Sequence, residues 1–219
     1  MGMQLGDNLK VTLFGESHGK CVGALVEGVP AGTPMDTEIL LRDLLRRKPG
    51  RKGLSQRSEP DDCEILSGVY EGKATGWPIL MLTMNSDAKS RDYSFLPDHP
   101  RPGHADLVES IRSDGTADLR GGGSQSARLT FGLVAAGSQA RTLLDNVGWS
   151  CYAHLHSVGE IKSRPLFELE RETPLDPSSD SGRLNCRDAE AAKSMSQEIE
   201  SIRKDRDTIG SVVELLIEG

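Results

Sequence analysis

The feature that most constrains the fold is the irregular order of the short apolar segments. Segments with a strand-like pattern and segments with a helix-like pattern follow one another without the regular alternation that a parallel βαβ fold requires. This order predicts an α+β fold built in layers. The apolar segments are much shorter than the roughly 20 residues that a membrane-spanning helix needs, so we expect no membrane association.

Predicted strands and helices follow from apolar spacing and from residues that begin or end helices. Asp36 is expected to cap a helix that runs to about Lys48, where Pro49 and Gly50 end it. A glycine-rich turn leads into a second helix, from about residue 125 to residue 144. The other predicted elements are strands at 10–14, 21–29, 63–67, 78–84, 149–158 and 211–217, and helices at 107–112 and 188–206.

Length and composition narrow the class of protein. A chain of 219 residues is long enough for a sizeable core, and we treat 1–219 as a single domain. The formal net charge of −7 argues against a nucleic-acid partner. The four cysteines are scattered and the N-terminus has no charged start followed by an apolar run, so we expect a cytoplasmic protein with reduced thiols.

The first motif with chemical potential is Gly-Glu-Ser-His-Gly at residues 15–19. Read literally, it matches the nucleophile elbow of α/β-hydrolases, which needs a strand before the serine and a helix after it. The residues that follow are rich in valine and glycine and predict a strand instead. We therefore favour a loop that holds His18 for proton transfer near neutral pH. A hydrolase and a plain turn between strands are the alternatives.

The second motif, Arg-Pro-Gly-His-Ala-Asp at residues 101–106, places His104 after a rigid turn. Arg101 lies three residues before this histidine and Asp106 two residues after it. A nearby arginine indicates an anionic ligand, which would favour the charged form of His104. The alternative is a solvent-exposed loop histidine without a catalytic role.

Two further stretches predict anion binding. In the third motif, residues 120–128, glycines let backbone N–H groups approach an anion at a helix N-terminus, with Ser126 and Arg128 in or near the first turn. The basic cluster is dense for an acidic chain and indicates a polyanionic small molecule. Its alternative is a solvated face that complements the helix dipole. The cluster comprises Arg46, Arg47, Lys48, Arg51 and Lys52.

His154 and His156 alternate with Tyr152 on a predicted strand. This spacing predicts a solvent-facing row. Two histidines at this spacing can bind a metal ion, but the sequence shows no third ligand, and we expect no metal site.

The first three motifs, in this order, resemble the chorismate synthase family. The stretch GESHGKCVGALVEGVPAGTP is similar to the first signature of the family, NSDAKSRDY and RPGHAD to its middle region, and RGGGSQSAR to its second signature. The resemblance covers essentially the whole chain. It implies a β-α-β sandwich and a homotetramer. The family's C-terminal part has no counterpart here, so we expect an incomplete chorismate synthase-like domain.

What the resemblance implies is a phosphate lyase of the shikimate pathway of aromatic amino acid biosynthesis. The reaction is the 1,4-elimination of phosphate from 5-enolpyruvylshikimate-3-phosphate, which gives chorismate and requires reduced FMN. His18 would protonate the reduced flavin, and His104 would act as the acid for the departing phosphate. The implied substrate-binding residues are Ser17, Arg47, Arg51, Arg101 and Arg128, and those near the flavin are Ser124, Gln125 and Ser126.

Two hypotheses account for a chain in which the family's C-terminal part has no counterpart. Within the family, the C-terminal part supplies flavin contacts and a catalytic aspartate, so we expect this chain alone not to turn over substrate. The strand-like segments 22–28 and 213–219 share four of seven residues, which would be consistent with a second half that begins there. The alternative is a non-catalytic relative that binds a phosphorylated metabolite or a partner chain.

Overall fold

A computed structural model describes residues 3–47, 61–86 and 90–219. The chain divides into two compact units, Met1–Leu143 and Leu144–Gly219. The single domain expected over 1–219 stays a prediction. Within the described ranges, no helix has both the length and the apolar character needed to cross a membrane.

The described part of the first unit contains seven strands. In chain order they are β1 Gln4–Leu5, β2 Lys10–Gly15, β3 Cys21–Glu27, β4 Glu64–Ser67, β5 Val69–Tyr70, β6 Lys73–Ala74 and β7 Ile79–Met84. Five of them form an antiparallel sheet in the order β1-β2-β3-β7-β4. Strands β5 and β6 form a separate two-stranded hairpin.

Three α-helices begin in this unit: α1 Thr37–Arg47, α2 Asp106–Arg112 and α3 Thr130–Asp145. The predicted cap of α1 is confirmed, because the Asp36 side chain accepts a hydrogen bond from the backbone N–H of Ile39 at 2.9 Å. Helix α3 begins five residues later than predicted. Two short 3₁₀ turns precede it, since three successive glycines at 121–123 have positive φ angles that an α-helix does not accept.

The core of the first unit lies between the sheet and the helices α1 and α3. Each fully buried Val, Leu, Ile, Phe or Met side chain in it contributes about 1.5–3 kcal/mol to stability. Gly132 lets α3 approach β3 closely, because a Cβ there would lie 2.5 Å from the carbonyl oxygen of Gly23. The most deeply buried core residues include Val22, Ala24, Val26, Ile79, Met81, Leu44, Phe131 and Ala135.

The second unit combines a three-stranded antiparallel sheet with two helices. The elements are β8 Ser150–Val158, β9 Ile161–Lys162, α4 Asp180–Leu184, α5 Ala189–Lys204 and β10 Ser211–Glu218. The strands lie in the order β10-β8-β9. Asp188 caps α5 by accepting from the N–H of Ala191 at 3.2 Å. This helix buries Ala192 and Met195 in a core that also contains Val158.

The α+β prediction is confirmed, and every predicted strand and helix has a counterpart. The elements missed from sequence are β1, β5, β6, β9 and α4, each too short to show an apolar period. One prediction for β8 is wrong: His154 does not face solvent but is fully buried. The 3₁₀ turn at Leu166–Glu168 contacts both β8 and β10, and Glu214 of β10 lies against the ring of His154.

Candidate active site

The Gly-Glu-Ser-His-Gly motif forms the loop between β2 and β3 in the first unit. Strand β3 follows this loop and pairs antiparallel with β2, so the structure forms no nucleophile elbow. The hydrolase alternative thereby loses its structural basis. Ser17 is fully buried, and its backbone N–H donates to the carbonyl of Gly123 at 3.0 Å. The first motif is therefore joined to the third.

The turn of three glycines at 121–123 packs closely against the loop that holds Ser17 and His18. A Cβ at Gly121 would lie 2.4 Å from Cε1 of His18 and 2.7 Å from Oγ of Ser17. Gly121 also has a φ of 60°, in the left-handed region. Glycine is therefore needed at this position both for the backbone conformation and for the close approach to the His18 ring. A larger residue would displace the histidine.

Asn85, at the end of β7, ties the loop to an arginine of the third motif. Its Nδ2 donates to the carbonyls of Glu16 at 3.0 Å and Gly19 at 2.9 Å. Its Oδ1 accepts from Nε of Arg128 at 3.1 Å. Sequence reasoning did not single out Asn85, although it begins the stretch NSDAKSRDY that resembles the family.

Tyr93 joins the first motif to the second. The His18 ring meets the Tyr93 ring edge to face, with centroids 5.0 Å apart and planes at 76°. On the same ring, the guanidinium carbon of Arg101 lies 5.3 Å from the centroid, a cation–π contact. Tyr93 was also missed from sequence, because a lone tyrosine in a polar loop carries no local signal.

Two predicted substrate-binding arginines converge on one carboxylate. Arg47 at the end of α1 and Arg128 before α3 each form an ion pair with Asp61. The Asp61 side chain is 3% exposed and that of Arg128 is 4% exposed. Arg47 also donates to Oγ1 of Thr130 at 3.4 Å. A pair of guanidinium groups is a suitable partner for a carboxylate or phosphate of a ligand, and Asp61 occupies that position here.

The second motif contains a forked ion pair. Arg101 donates to both oxygens of Asp106, from Nε at 2.7 Å and from Nη2 at 2.8 Å. These side-chain hydrogen bonds hold the pKa of Asp106 below its usual range. His104 is exposed, and its Nδ1–H donates to the carbonyl of Pro102 at 3.2 Å. This contact fixes the ring so that Nε2 is the atom that can hold and release a proton.

The residues predicted to lie near the flavin follow the glycine turn. Ser124 is half-buried, and the hydroxyl of Ser126 accepts from the N–H of Arg128 at 3.3 Å. Gln125 is exposed and donates to Glu109 at 3.2 Å. Arg51 of the basic cluster lies outside the described residues, together with Lys48 and Lys52.

Comparison with known proteins gives the family. The family model for chorismate synthase matches residues 9–219, which is nearly the entire chain. The chain belongs to the chorismate synthase family. The chorismate synthase of Methanosarcina barkeri is 42% identical over an alignment that covers 100% of this chain and 59% of the relative. That of Aeropyrum pernix is 44% identical, with 96% of this chain and 55% of the relative covered.

A crystal structure of a chorismate synthase shares the fold. It aligns with a TM-score of 0.68 at 26% sequence identity and covers 96% of this chain and 57% of that one. The chain thus spans less than two thirds of the length of these chorismate synthases.

A flavin is the cofactor that the family implies, and the glycine turn fits an anionic ligand of that kind. The glycines at 121–123 all have positive φ, and they have no side chains that would cover the backbone of the turn. The N–H of Gly122 is already engaged, because it donates to the carbonyl of Leu119 at 3.1 Å. A Cβ at Gly122 would meet one described atom within 4 Å, the Cβ of Ser126 at 3.7 Å. The turn is therefore open beside Ser126 and closed against His18.

Proposed function

We propose that this chain carries the anion-binding and proton-transfer groups of a chorismate synthase. The reaction is the 1,4-elimination of phosphate from 5-enolpyruvylshikimate-3-phosphate, within the shikimate pathway. The observation that carries the proposal is the convergence of three distant motifs in the first unit. The contacts that support it are Ser17 to Gly123, Asn85 to Arg128, and Tyr93 between His18 and Arg101.

Arginines provide the binding energy for this substrate, which has two carboxylates and a phosphate. Arg47 and Arg128 bind one anionic group in the position that Asp61 holds in the free chain. Arg101 is oriented by Asp106 and Tyr93 and binds a second group. Arg51 and the hydroxyl of Ser17 belong to the same proposed substrate set, as the family resemblance implies.

His104 acts as the general acid for the leaving phosphate. Loss of phosphate builds negative charge on the departing oxygen, and a proton delivered there lowers the barrier. The Nδ1–H of His104 is held by the carbonyl of Pro102, so the proton is delivered from Nε2. Exposure of the ring leaves Nε2 accessible to a ligand.

Ser124, Gln125, Ser126 and the glycine turn would hold reduced FMN. When bound, the flavin would supply an electron-rich group to a reaction that is redox-neutral overall. His18 would be the residue that transfers a proton towards this cofactor. Its ring is kept in place by Tyr93 and by the closed side of the turn at Gly121. The family also suggests a cytoplasmic homotetramer with a small-molecule substrate and no nucleic-acid partner.

Titration calorimetry of the substrate tests the binding site. Arg47→Ala and Arg128→Ala should each weaken binding by about 1.5–3 kcal/mol, the range for a hydrogen bond to a charged group. This corresponds to roughly 10- to 150-fold in Kd. Arg203→Ala in α5 is the matched control, because Arg203 is exposed and lies in the second unit. Unchanged affinity in both site variants would refute the proposed anion site.

The non-catalytic alternative is tested by titrating reduced FMN under anaerobic conditions. A chorismate synthase part that contains the Ser124–Ser126 segment should bind the flavin more tightly when the substrate is present. Binding of substrate without any binding of reduced FMN would favour a relative that only holds a phosphorylated metabolite.

A further inference from the structure

A second cluster of chemically competent side chains lies in the second unit and is not used by the proposed reaction. His154 and His156 project from β8, and Glu214 projects from β10 directly opposite His154 in the strand register. Nε2 of His154 lies 3.1 Å from Oε2 of Glu214, and Nδ1 of His156 lies 3.6 Å from the same oxygen. One candidate ligand atom from each residue lies within 4.8 Å of the other two.

The backbone aims these side chains at one point. The register of β8 against β10 shifts between Val212 and Val213, and His156 is the extra residue of the resulting bulge. Bulges commonly redirect a side chain. The His156 carbonyl accepts from the N–H of Ser163 at 2.8 Å, which holds the bulge against the segment after β9.

We propose that His154, His156 and Glu214 bind one divalent transition-metal ion, with Zn²⁺ as the favoured occupant. Two imidazoles and one carboxylate form a ligand set of the borderline type that zinc accepts. Tetrahedral zinc with bonds of about 2.0–2.2 Å places its ligand atoms roughly 3.3 Å apart. The two separations from Oε2 of Glu214, 3.1 Å to His154 and 3.6 Å to His156, bracket that distance.

The candidate metal site is buried on the His154 side and open to solvent on the other. The His154 side chain is fully buried, whereas those of His156 and Glu214 are 26% and 30% exposed. An ion can therefore enter from the solvent side, and water can complete the coordination as the fourth ligand. The backbone N–H of Leu166 donates to Glu214 at 2.8 Å and orients the carboxylate.

The hydrogen bonds around the three proposed ligands indicate a moderate rather than an extreme affinity for zinc. Among the described residues, none offers a hydrogen-bond partner to Nδ1 of His154, so the outer contact that usually orients a ligating histidine is missing on that side. The ring of His156 lies 3.3 Å from the hydroxyl of Ser163, which itself donates to the carbonyl of Arg164. Metal binding at Nδ1 of His156 exchanges this hydrogen bond for a metal bond and leaves the ring proton on Nε2.

The experiment is calorimetric titration of Zn²⁺ into the 219-residue chain after treatment with a chelator. We expect one ion per chain, and at least a tenfold loss of affinity in Glu214→Gln and in His156→Ala. His99→Ala and Cys151→Ser are the controls, because both residues are exposed and could bind zinc adventitiously. With Co²⁺ in place of zinc, visible absorption without a thiolate charge-transfer band is expected.

Several outcomes would overturn the proposal. They are a wild-type chain that binds no zinc, ligand variants that bind zinc as tightly as the wild type, or a control variant that no longer binds the ion. Circular dichroism of Glu214→Gln, a change that keeps the size of the side chain, shows whether that variant is folded. A rise in the melting temperature of the wild-type chain on zinc addition, absent in a folded Glu214→Gln, would support the site independently of calorimetry.

Discussion

Asp61 controls the charge of the candidate anion site. The sequence predicts Arg47 and Arg128 as substrate-binding cations. In the structure, Asp61 already forms an ion pair with each of them, and its side chain is almost completely buried. A ligand must therefore compete with this carboxylate, which makes Asp61 a determinant of how tightly the site binds anions.

We predict that Asp61→Asn strengthens substrate binding by about 1–1.5 kcal/mol, roughly five- to tenfold in Kd, because the competing charge is removed. The ligand-free chain should lose about 3 kcal/mol of unfolding free energy, since two arginines lose their buried partner. Calorimetry and urea denaturation measure the two effects.

Asp62→Asn is the matched control, because Asp62 is the neighbouring aspartate and is exposed. It should leave both quantities within about 0.5 kcal/mol of the wild-type values. A folded Asp61→Asn chain that binds substrate more weakly would show that Asp61 supports the site instead of competing for it.

His104 is the second residue whose role can be isolated. His104→Ala should lower kcat by roughly 100-fold or more while the substrate still binds, as expected for the loss of a general acid. The rate is measured anaerobically with reduced FMN, on the chain supplied with the remaining part of a longer relative. His99→Ala should keep the wild-type rate, because His99 is an exposed loop histidine. Unchanged kcat in His104→Ala would remove it from the mechanism.

At the scale of elements, helix α3 carries two glycines with opposite environments. Gly132 faces β3, where a Cβ would lie 2.5 Å from the carbonyl oxygen of Gly23 and 2.9 Å from Cδ2 of Leu13. Gly137 is exposed, and the described residues place no atom within 4 Å of a Cβ there. The same substitution should therefore have opposite effects at the two positions.

Gly132→Ala should lower the free energy of unfolding by about 1–3 kcal/mol, because α3 must move away from the sheet. Gly137→Ala should raise it by about 0.5–1 kcal/mol, since alanine favours the helix. Chemical denaturation of the two variants side by side measures the difference. Similar effects from both would mean that α3 does not pack on β3 as closely as the structure shows.

Segments 22–28 and 213–219 have similar sequences, yet their positions in the two sheets give them different burial. Residues 22–26 lie in β3, a central strand, where Val22 and Val26 are fully buried. The matching residues lie in β10, at the edge of the second unit's sheet, where Val213 is 66% and Ile217 is 51% exposed. A shared strand pattern thus predicts a strand in both places but not its burial.

At the scale of the whole molecule, the described candidate substrate residues all belong to the first unit, Met1–Leu143. We therefore predict that this chain binds 5-enolpyruvylshikimate-3-phosphate by itself. The chain corresponds to 59% of the length of the Methanosarcina barkeri relative, and catalytic groups act as a unit. Turnover should accordingly be negligible for the chain alone and appear when the remaining part of that relative is added.

The measurement is chorismate formation in an anaerobic assay with reduced FMN. The mixed chains are compared with each chain alone. Turnover by the 219-residue chain alone at the rate of the full-length relative would contradict the prediction. Activity on mixing would identify this chain as a functional part of the enzyme.

The sequence by itself determined the elements and the motifs, because these depend on neighbouring residues. Apolar periods placed the longer strands and helices, Asp36 marked the start of α1, and the glycine run marked the turn before α3. The family followed from the same local stretches. The predicted start of helix α3 is five residues too early, because the positive φ angles of three glycines keep the α-helix from beginning before Thr130.

Tertiary structure decided which residues meet, since the decisive contacts join distant positions. Arg128 lies 67 residues from Asp61 and 43 from Asn85, and His154 lies 60 residues from Glu214. No periodicity or local spacing relates such pairs. Only the pairing of β10 with β8 brings Glu214 beside two histidines whose sequence predicted a solvent-facing row. The physical reason is that a side chain's partner across a sheet is set by strand register and not by its neighbours in the chain.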